Sequence, residues 1–241
     1  MSKINQLREI IDSSDNIVFF GGAGVSTESG IPDFRSESGI FKTFEKYGES
    51  PEKLVSHSYF VENTEKFYEY YKENLIFNEA EPNPAHIGLA ELEKQGKLRA
   101  VITQNIDGLH QKAGSKNVLE LHGSVHRNNC LICDKEYDVD YILESDGIPR
   151  CECGGIIKPD VVLYEEPLNN AILNFSIDYI SNCDTLIIGG TSLVVYPAAG
   201  LINYFNGDNL VLINKSETPY DNFANLVINE PIGETFEKLL R

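Results

Sequence analysis

Four cysteines carry the most specific ligand spacing in the chain. Cys130-x-x-Cys133 is followed, after 17 intervening residues, by Cys151-x-Cys153-Gly154-Gly155. Two knuckles at that separation supply the donor set of a tetrahedral four-thiolate zinc ribbon. Four protein ligands leave no open position for water, so one zinc ion is expected to hold a small module together rather than to do chemistry. The second knuckle is C-x-C instead of the commoner C-x-x-C, which tightens its turn. His126 is an alternative ligand that four thiolates make unnecessary, and Cys183, alone before an apolar strand, reads as a buried small hydrophobe.

The second chemical feature is NIVFFGGAGVSTESGIPDFR, from Asn16 to Arg35. Ile17, Val18, Phe19 and Phe20 form a short apolar run of β-formers that meets Gly21, Gly22, Ala23 and Gly24. A buried strand ending in glycines lets the backbone approach a pyrophosphate at the start of a helix. As a dinucleotide fingerprint the run is irregular, because a third glycine falls at Gly30 and the expected position holds Thr27. Alone, such a cluster also describes a plain tight turn.

The elements that must position these groups alternate. Ile4, Leu7, Ile10 and Ile11 predict an amphipathic helix over residues 3–13. Asn83 and Pro84 read as N-cap and first position of a helix running through Leu89 and Leu92. Ala100–Thr103 is a strand leading into QNIDGLHQKAG, and Val118–Leu121 is another, ending at His122-Gly123. A helix near 168–180, a strand at Leu186–Ile188, a helix near 197–205, a strand at Leu210–Ile213 and a last helix from Ile232 follow. Strands and helices alternating at this spacing predict an α/β fold with a parallel sheet covered on both faces. Residues 37–80 differ: ten aromatics lie among many Glu and Lys, which reads as an inserted helical module with an aromatic interior. The expected organisation is a discontinuous Rossmann-like domain from 1–36, 81–125 and 158–241. The helical insertion 37–80 and the zinc ribbon 126–157 together make the smaller domain.

Composition narrows the function class. The 241 residues suffice for a sizeable core. A net charge of −17 disfavours direct nucleic-acid binding and favours cationic partners such as lysine-rich protein tails, although it also serves solubility. No apolar run approaches the ~20 residues of a membrane span. The N-terminus is amphipathic rather than signal-like, so a cytoplasmic protein with no membrane association is expected, its five cysteines serving as metal ligands or buried thiols.

Seven blocks, in order, resemble the sirtuin family over essentially the whole length: GAGVSTESGIPDFR, TQNIDGLHQKAG, LELHG, the cysteine pairs, KPDVVLYEE, GGTSLVVYPAAG and LVLINKSETPYD. The resemblance implies a Rossmann-type domain with an inserted zinc-and-helix module, with NAD and an acyl-lysine peptide bound between them. NAD is then a co-substrate, broken at its glycosidic bond. It implies that the first glycine block with Ala23 and Thr27 cradles phosphates, that Phe34 shields the reactive sugar face, and that Asp33 and Arg35 belong to the same cofactor loop. Gln104, Asn105, Ile106 and Asp107 end a strand, where parallel sheets place ligands. Asp107 would accept from the nicotinamide carboxamide, Ile106 would face its ring, and Asn105 would order a ribose hydroxyl or water. Alone, N-x-D after a strand is a turn or helix cap.

By the same resemblance His122 is the general base, since imidazole titrates near neutrality and the family reaction removes a proton from a ribose hydroxyl. His86, on an apolar helix, reads instead as a core or capping residue, and His57, His110 and His126 have no comparable case. Thr191, Ser192 and Asn214 resemble adenosine-ribose and phosphate contacts, Ile232 would lie near the adenine, and Val162–Tyr164 would offer a strand edge to the peptide.

Three positions depart from the family pattern. Glu165 stands where many sirtuins have glycine, Thr191 where serine is frequent, and Tyr71 where desuccinylating relatives carry arginine. Without that guanidinium a charged acyl group lacks its partner, so acetyl or another neutral acyl-lysine is expected. The expected function is NAD-dependent protein-lysine deacetylation, with transfer of the acyl group to ADP-ribose. NAD-dependent protein mono-ADP-ribosylation is the alternative. A non-catalytic NAD-binding module sits poorly with His122, Asn105 and Asp107 together. A hydride-transferring dehydrogenase is the weakest rival, since no acidic ribose-binding residue is evident about 20 residues after the glycines.

Overall fold

The computed structural model describes residues 2–33 and 43–240, so Phe34 and Arg35 lie outside the described residues. In chain order the strands are β1 (Ile17–Gly21), β2 (Leu98–Thr103), β3 (Val118–Glu120), β4 (Gly123–Cys130), β5 (Glu136–Tyr137), β6 (Ile157–Val161), β7 (Thr185–Gly189), β8 (Asn209–Ile213) and β9 (Leu226–Ile228). Six of them form a parallel sheet in the order β3-β2-β1-β7-β8-β9.

Every residue of β1 is buried because the strand lies mid-sheet with both faces covered. Successive side chains point to opposite faces. Ile17 and Phe19 join Leu7, Leu89 and Phe236 from the helices Lys3–Ser13, Pro84–Lys94 and Ile232–Leu240. Val18 and Phe20 pack on the other side with Ile180 from the helix Asn170–Asn182 and Leu201 from the 3-10 helix Ala198–Tyr204. The segment expected as a helix near 197–205 is thus the tighter form. The edge strand β9 is an addition that its three residues were too short to signal. At Gly88 a Cβ would lie 2.4 Å from the Phe236 ring, so glycine there lets the helices Pro84–Lys94 and Ile232–Leu240 close up.

A second sheet, antiparallel in the order β5-β4-β6, carries the cysteine segment. The helices Pro51–Leu54, His57–Glu62 and Thr64–Asn74 share one core with it: Phe60, Phe67, Tyr68 and Tyr71 pack against Val125, Ile142 and Ile157. Phe67 and Tyr71 stack with ring centroids 5.5 Å apart, while Phe67 and Tyr68 meet edge-on at 5.2 Å. Each such ring contributes on the order of 1.5–3 kcal/mol by leaving water. The buried Tyr68 hydroxyl donates to the Ile157 carbonyl, which ties the aromatic helix to β6. Among the described residues no helix is long and apolar enough to cross a membrane.

Candidate active site

The sheet order reverses between β1 and β7: the chain leaves β1 toward β2 and β3, and leaves β7 toward β8 and β9. Crossovers diverge at such a point and open a crevice at the carboxyl ends of the strands. Two glycine loops meet there. The Gly22 amide donates to the Gly189 carbonyl at 3.3 Å and the Gly24 amide to the Gly190 carbonyl at 2.8 Å. A Cβ on Gly24 would sit 2.8 Å from the Gly190 Cα, and Gly190 has φ +59° with a Cβ position 2.3 Å from the Val25 nitrogen. The run after β1 continues as two 3-10 turns, Ala23–Val25 and Thr27–Ser29, rather than as the α-helix of a dinucleotide fingerprint.

The crevice holds a cavity of about 370 Å³, within the size range of small-molecule sites. Ala23 and Asp33 line one wall, and Gln104, Asn105, Ile106 and Asp107 follow the end of β2. His122 enters after β3, and Thr191 and Ser192 after β7. The Gln104 amide donates to the Gly21 carbonyl at 3.0 Å and its side chain to Thr191 Oγ1 at 3.2 Å, so adjacent strand ends are cross-linked.

Ser26, which no expectation singled out, sits at the centre of a polar chain. Its hydroxyl donates to Asp107 Oδ2 at 2.7 Å and accepts from Asn105 Nδ2 at 3.0 Å. His86 Nδ1 accepts from the Asn83 amide at 3.2 Å, which puts the ring proton on Nε2, 3.4 Å from Ser26 Oγ. His86 is therefore the expected capping residue and also reaches the site. Burial drives its pKa down to about 4 against the pull of Asp107, and the ring is neutral at ordinary pH. Asp107 Oδ1 accepts from the Leu109 amide at 2.9 Å, the local cap its N-x-D context suggested.

His122 Nδ1 lies 2.9 Å from the Gln104 carbonyl. A carbonyl oxygen only accepts, so Nδ1 carries the proton and the basic nitrogen of the neutral ring is Nε2. His126 has a different task from metal binding: its Nε2 donates to the Asp107 carbonyl at 3.0 Å and holds that loop in place.

Other expected positions fall away from the cavity lining. Thr27 Oγ1 donates to the Gly24 carbonyl at 3.0 Å, and Asn214 Nδ2 donates to the Ser216 carbonyl at 2.7 Å. Ile232 is 3% exposed and packs beneath Gly189, where a Cβ would lie 2.2 Å from its Cδ1. Tyr71 is fully buried in the aromatic core, while its neighbour Tyr70 reaches the cavity. The edge expected at Val162–Tyr164 is partly spent on internal pairing. The Val162 amide donates to His122 O at 2.9 Å, the Tyr164 amide to Val55 O at 3.0 Å, and Tyr164 O accepts from the His57 amide at 2.9 Å. Glu28 was also missed; it accepts from the Gly233 amide at 2.6 Å and fastens the last helix to the glycine loop.

The four cysteine sulphurs converge within 4.8 Å of one another, with three pairs at 3.5 Å. Sulphurs about 2.3 Å from a tetrahedral zinc fall close to this spacing, and all four thiols are unpaired by disulfides. The donor set therefore fits one structural zinc ion. Cys183 is buried, with its thiol pushed up to about 12 by burial, as expected of a packing residue.

Residues 22–197 match the model of the Sir2 family. The chain is 63% identical to the NAD-dependent protein deacetylase of Clostridium perfringens, covering 99% of this chain and 98% of that one. It is 59% identical to the NAD-dependent protein deacetylase of Clostridium acetobutylicum over 100% and 99% of the two chains. Among solved structures, a Sir2 bound to a deacetylated p53 peptide and 3'-O-acetyl ADP ribose superposes with a TM-score of 0.89 at 40% identity, covering 99% and 98%. A Sir2 with p53 peptide and NAD+ gives 0.87 at 39% identity, again covering 99% and 98%.

Proposed function

The chain belongs to the Sir2 family, and on that premise we propose that it is an NAD-dependent protein-lysine deacetylase. It releases nicotinamide from NAD and passes the acyl group of an acyl-lysine protein to ADP-ribose. The observation that carries this reading is the meeting, in one cavity, of His122 with Asn105, Asp107 and the glycine loops of β1 and β7.

In this reading the NAD phosphates lie against the backbone of the Gly22–Gly24 and Gly190 loops, where no Cβ intervenes. Ala23, Thr27, Asp33, Phe34 and Arg35 form the cofactor loop, and Thr191, Ser192, Asn214 and Ile232 the adenosine side. Asp107, kept in orientation by Ser26 and the Leu109 amide, accepts from the carboxamide, and Ile106 faces the ring. Asn105, donating to Ser26, orders a ribose hydroxyl or water. His122 takes the proton of a ribose hydroxyl on Nε2, and the Gln104 carbonyl steadies the ring through Nδ1 as it becomes cationic.

Zinc held by Cys130, Cys133, Cys151 and Cys153 supplies a structural cross-link. The division into a large sheet domain (1–36, 81–125, 158–241) and a small one (37–80 with 126–157) is supported by the distinct core of the aromatic helices and ribbon, to which Val125, Val161 and Leu163 at the boundaries also contribute. The reduced thiols support a cytoplasmic location.

The test is incubation with NAD and an acetyl-lysine peptide, following nicotinamide, free lysine and ADP-ribose products by mass spectrometry. Nicotinamide release matching acetyl loss is expected. ADP-ribose accumulating on protein without acetyl loss would replace this reading with mono-ADP-ribosylation.

A further inference from the structure

Leu163, Tyr164, Glu165 and Glu166 form a reverse turn closed by the Glu166 amide on the Leu163 carbonyl at 3.0 Å. Glu165 occupies its third position with φ +76°, a left-handed conformation that type II turns ordinarily reserve for glycine. Glutamate is strained there and would relax elsewhere unless something held it. Its carboxylate is the holder: Oε2 accepts from the Ser58 amide at 2.9 Å and Oε1 from the Ser58 hydroxyl at 3.0 Å. Both oxygens thus bond Ser58 in the first turn of the helix His57–Glu62.

The turn is fastened on either side of this contact. Tyr164 exchanges backbone hydrogen bonds with Val55 and His57, and Glu166 accepts from His57 Nδ1 at 2.9 Å and Lys158 Nζ at 3.1 Å. Upstream, the Val162 amide bonds the His122 carbonyl at 2.9 Å. One short segment therefore runs from the backbone of His122 to the aromatic helices, and the cavity wall it makes has its strained residue at Glu165.

We propose that Glu165 is a positioning residue: its clasp on Ser58 sets the place of the wall against which the acyl-peptide binds. This rests on the deacetylase reading. The clasp turns both carboxylate oxygens toward Ser58, so it acts through the place of the wall. It makes affinity for the peptide, rather than the chemical step, depend on a contact between two segments of the protein.

Glu165→Gly tests this directly, since glycine accepts φ +76° and the variant is expected to fold with an unchanged melting temperature or a higher one. With saturating NAD, the KM for an acetyl-lysine peptide is expected to rise about three- to tenfold, with kcat and the KM for NAD within about twofold of the parent. Glu165→Gln, which keeps an acceptor, should recover part of the loss. Ser58→Ala, which keeps the amide donor, should cost about twofold and add nothing to Glu165→Gly. Peptides with lysine-rich and with alanine flanks should both show the rise. An unchanged peptide KM, a loss confined to kcat, or an effect only on the lysine-rich peptide would each overturn the clasp. Absence of deacetylation by the parent protein would instead overturn the reading on which it rests.

Discussion

The Gly24 amide donates to the Gly190 carbonyl at 2.8 Å, joining the loop after the first strand to the loop after the seventh at the point where the sheet order reverses. Neither position has room for a side chain. Gly190→Ala should therefore cost about 2–4 kcal/mol, from a left-handed φ and an overpacked backbone contact together. It should also weaken NAD binding more than tenfold. Gly30→Ala is the control: φ is +84° but nothing lies within 4 Å of the added Cβ, so only the strain of about 1 kcal/mol is expected. Thermal melting and titration with NAD distinguish the two.

His122→Ala should lower deacetylation about 10²–10⁴-fold while leaving NAD binding within a few-fold, because the ring acts on a proton and is held by the Gln104 carbonyl outside the phosphate loops. A rapid-quench assay of acetyl loss beside a binding titration measures both. Full turnover by the variant would remove His122 as the base.

Acid should destabilise the fold through His86. Its folded pKa, about 4, is below the ordinary value of 6.5, chiefly because burial disfavours the charged ring. The unfolded state binds more protons between those values, so stability is flat above pH 6.5 and falls as pH drops toward 4, by on the order of 3 kcal/mol at most. His110, lowered by burial and then by His86, acts in the same direction. Melting temperature from pH 7.5 to 4.5 should show the decline, and His86→Gln should flatten it while lowering stability at pH 7.5.

Removal of zinc should act on the small sheet first. Cys130 and Cys151 are buried against the core shared with Phe67 and Tyr68, so a strong chelator or Cys151→Ser should loosen the aromatic helices as well as the ribbon. One zinc per chain by elemental analysis, and loss of the near-ultraviolet dichroism of the tyrosines on chelation, are the expected results. Turnover should fall with the dichroism, since Leu163 to Glu166 hang from this core.

The sequence alone determined what repeats at short range. Apolar runs such as Ile17–Phe20 and Leu186–Ile188 must be strands buried on both faces, and Asn83-Pro84 must open a helix, because neighbouring residues decide those conformations. The cysteine spacing marked the four-sulphur cluster through two short knuckles of matching donors. The ordered blocks marked most of the cavity lining, from Ala23 to Ser192.

Tertiary structure alone decided which strands became neighbours. Gly24 meets Gly190 only because β1 pairs with β7, and no local pattern announces a parallel partner reached through long crossovers. The same pairing sets Gly189 directly over Ile232. Ser26 and His86 joined the site, and Glu165 proved tied to Ser58, through side-chain contacts between distant segments. Such contacts follow from how sheets and helices pack, and packing is a property of the whole chain.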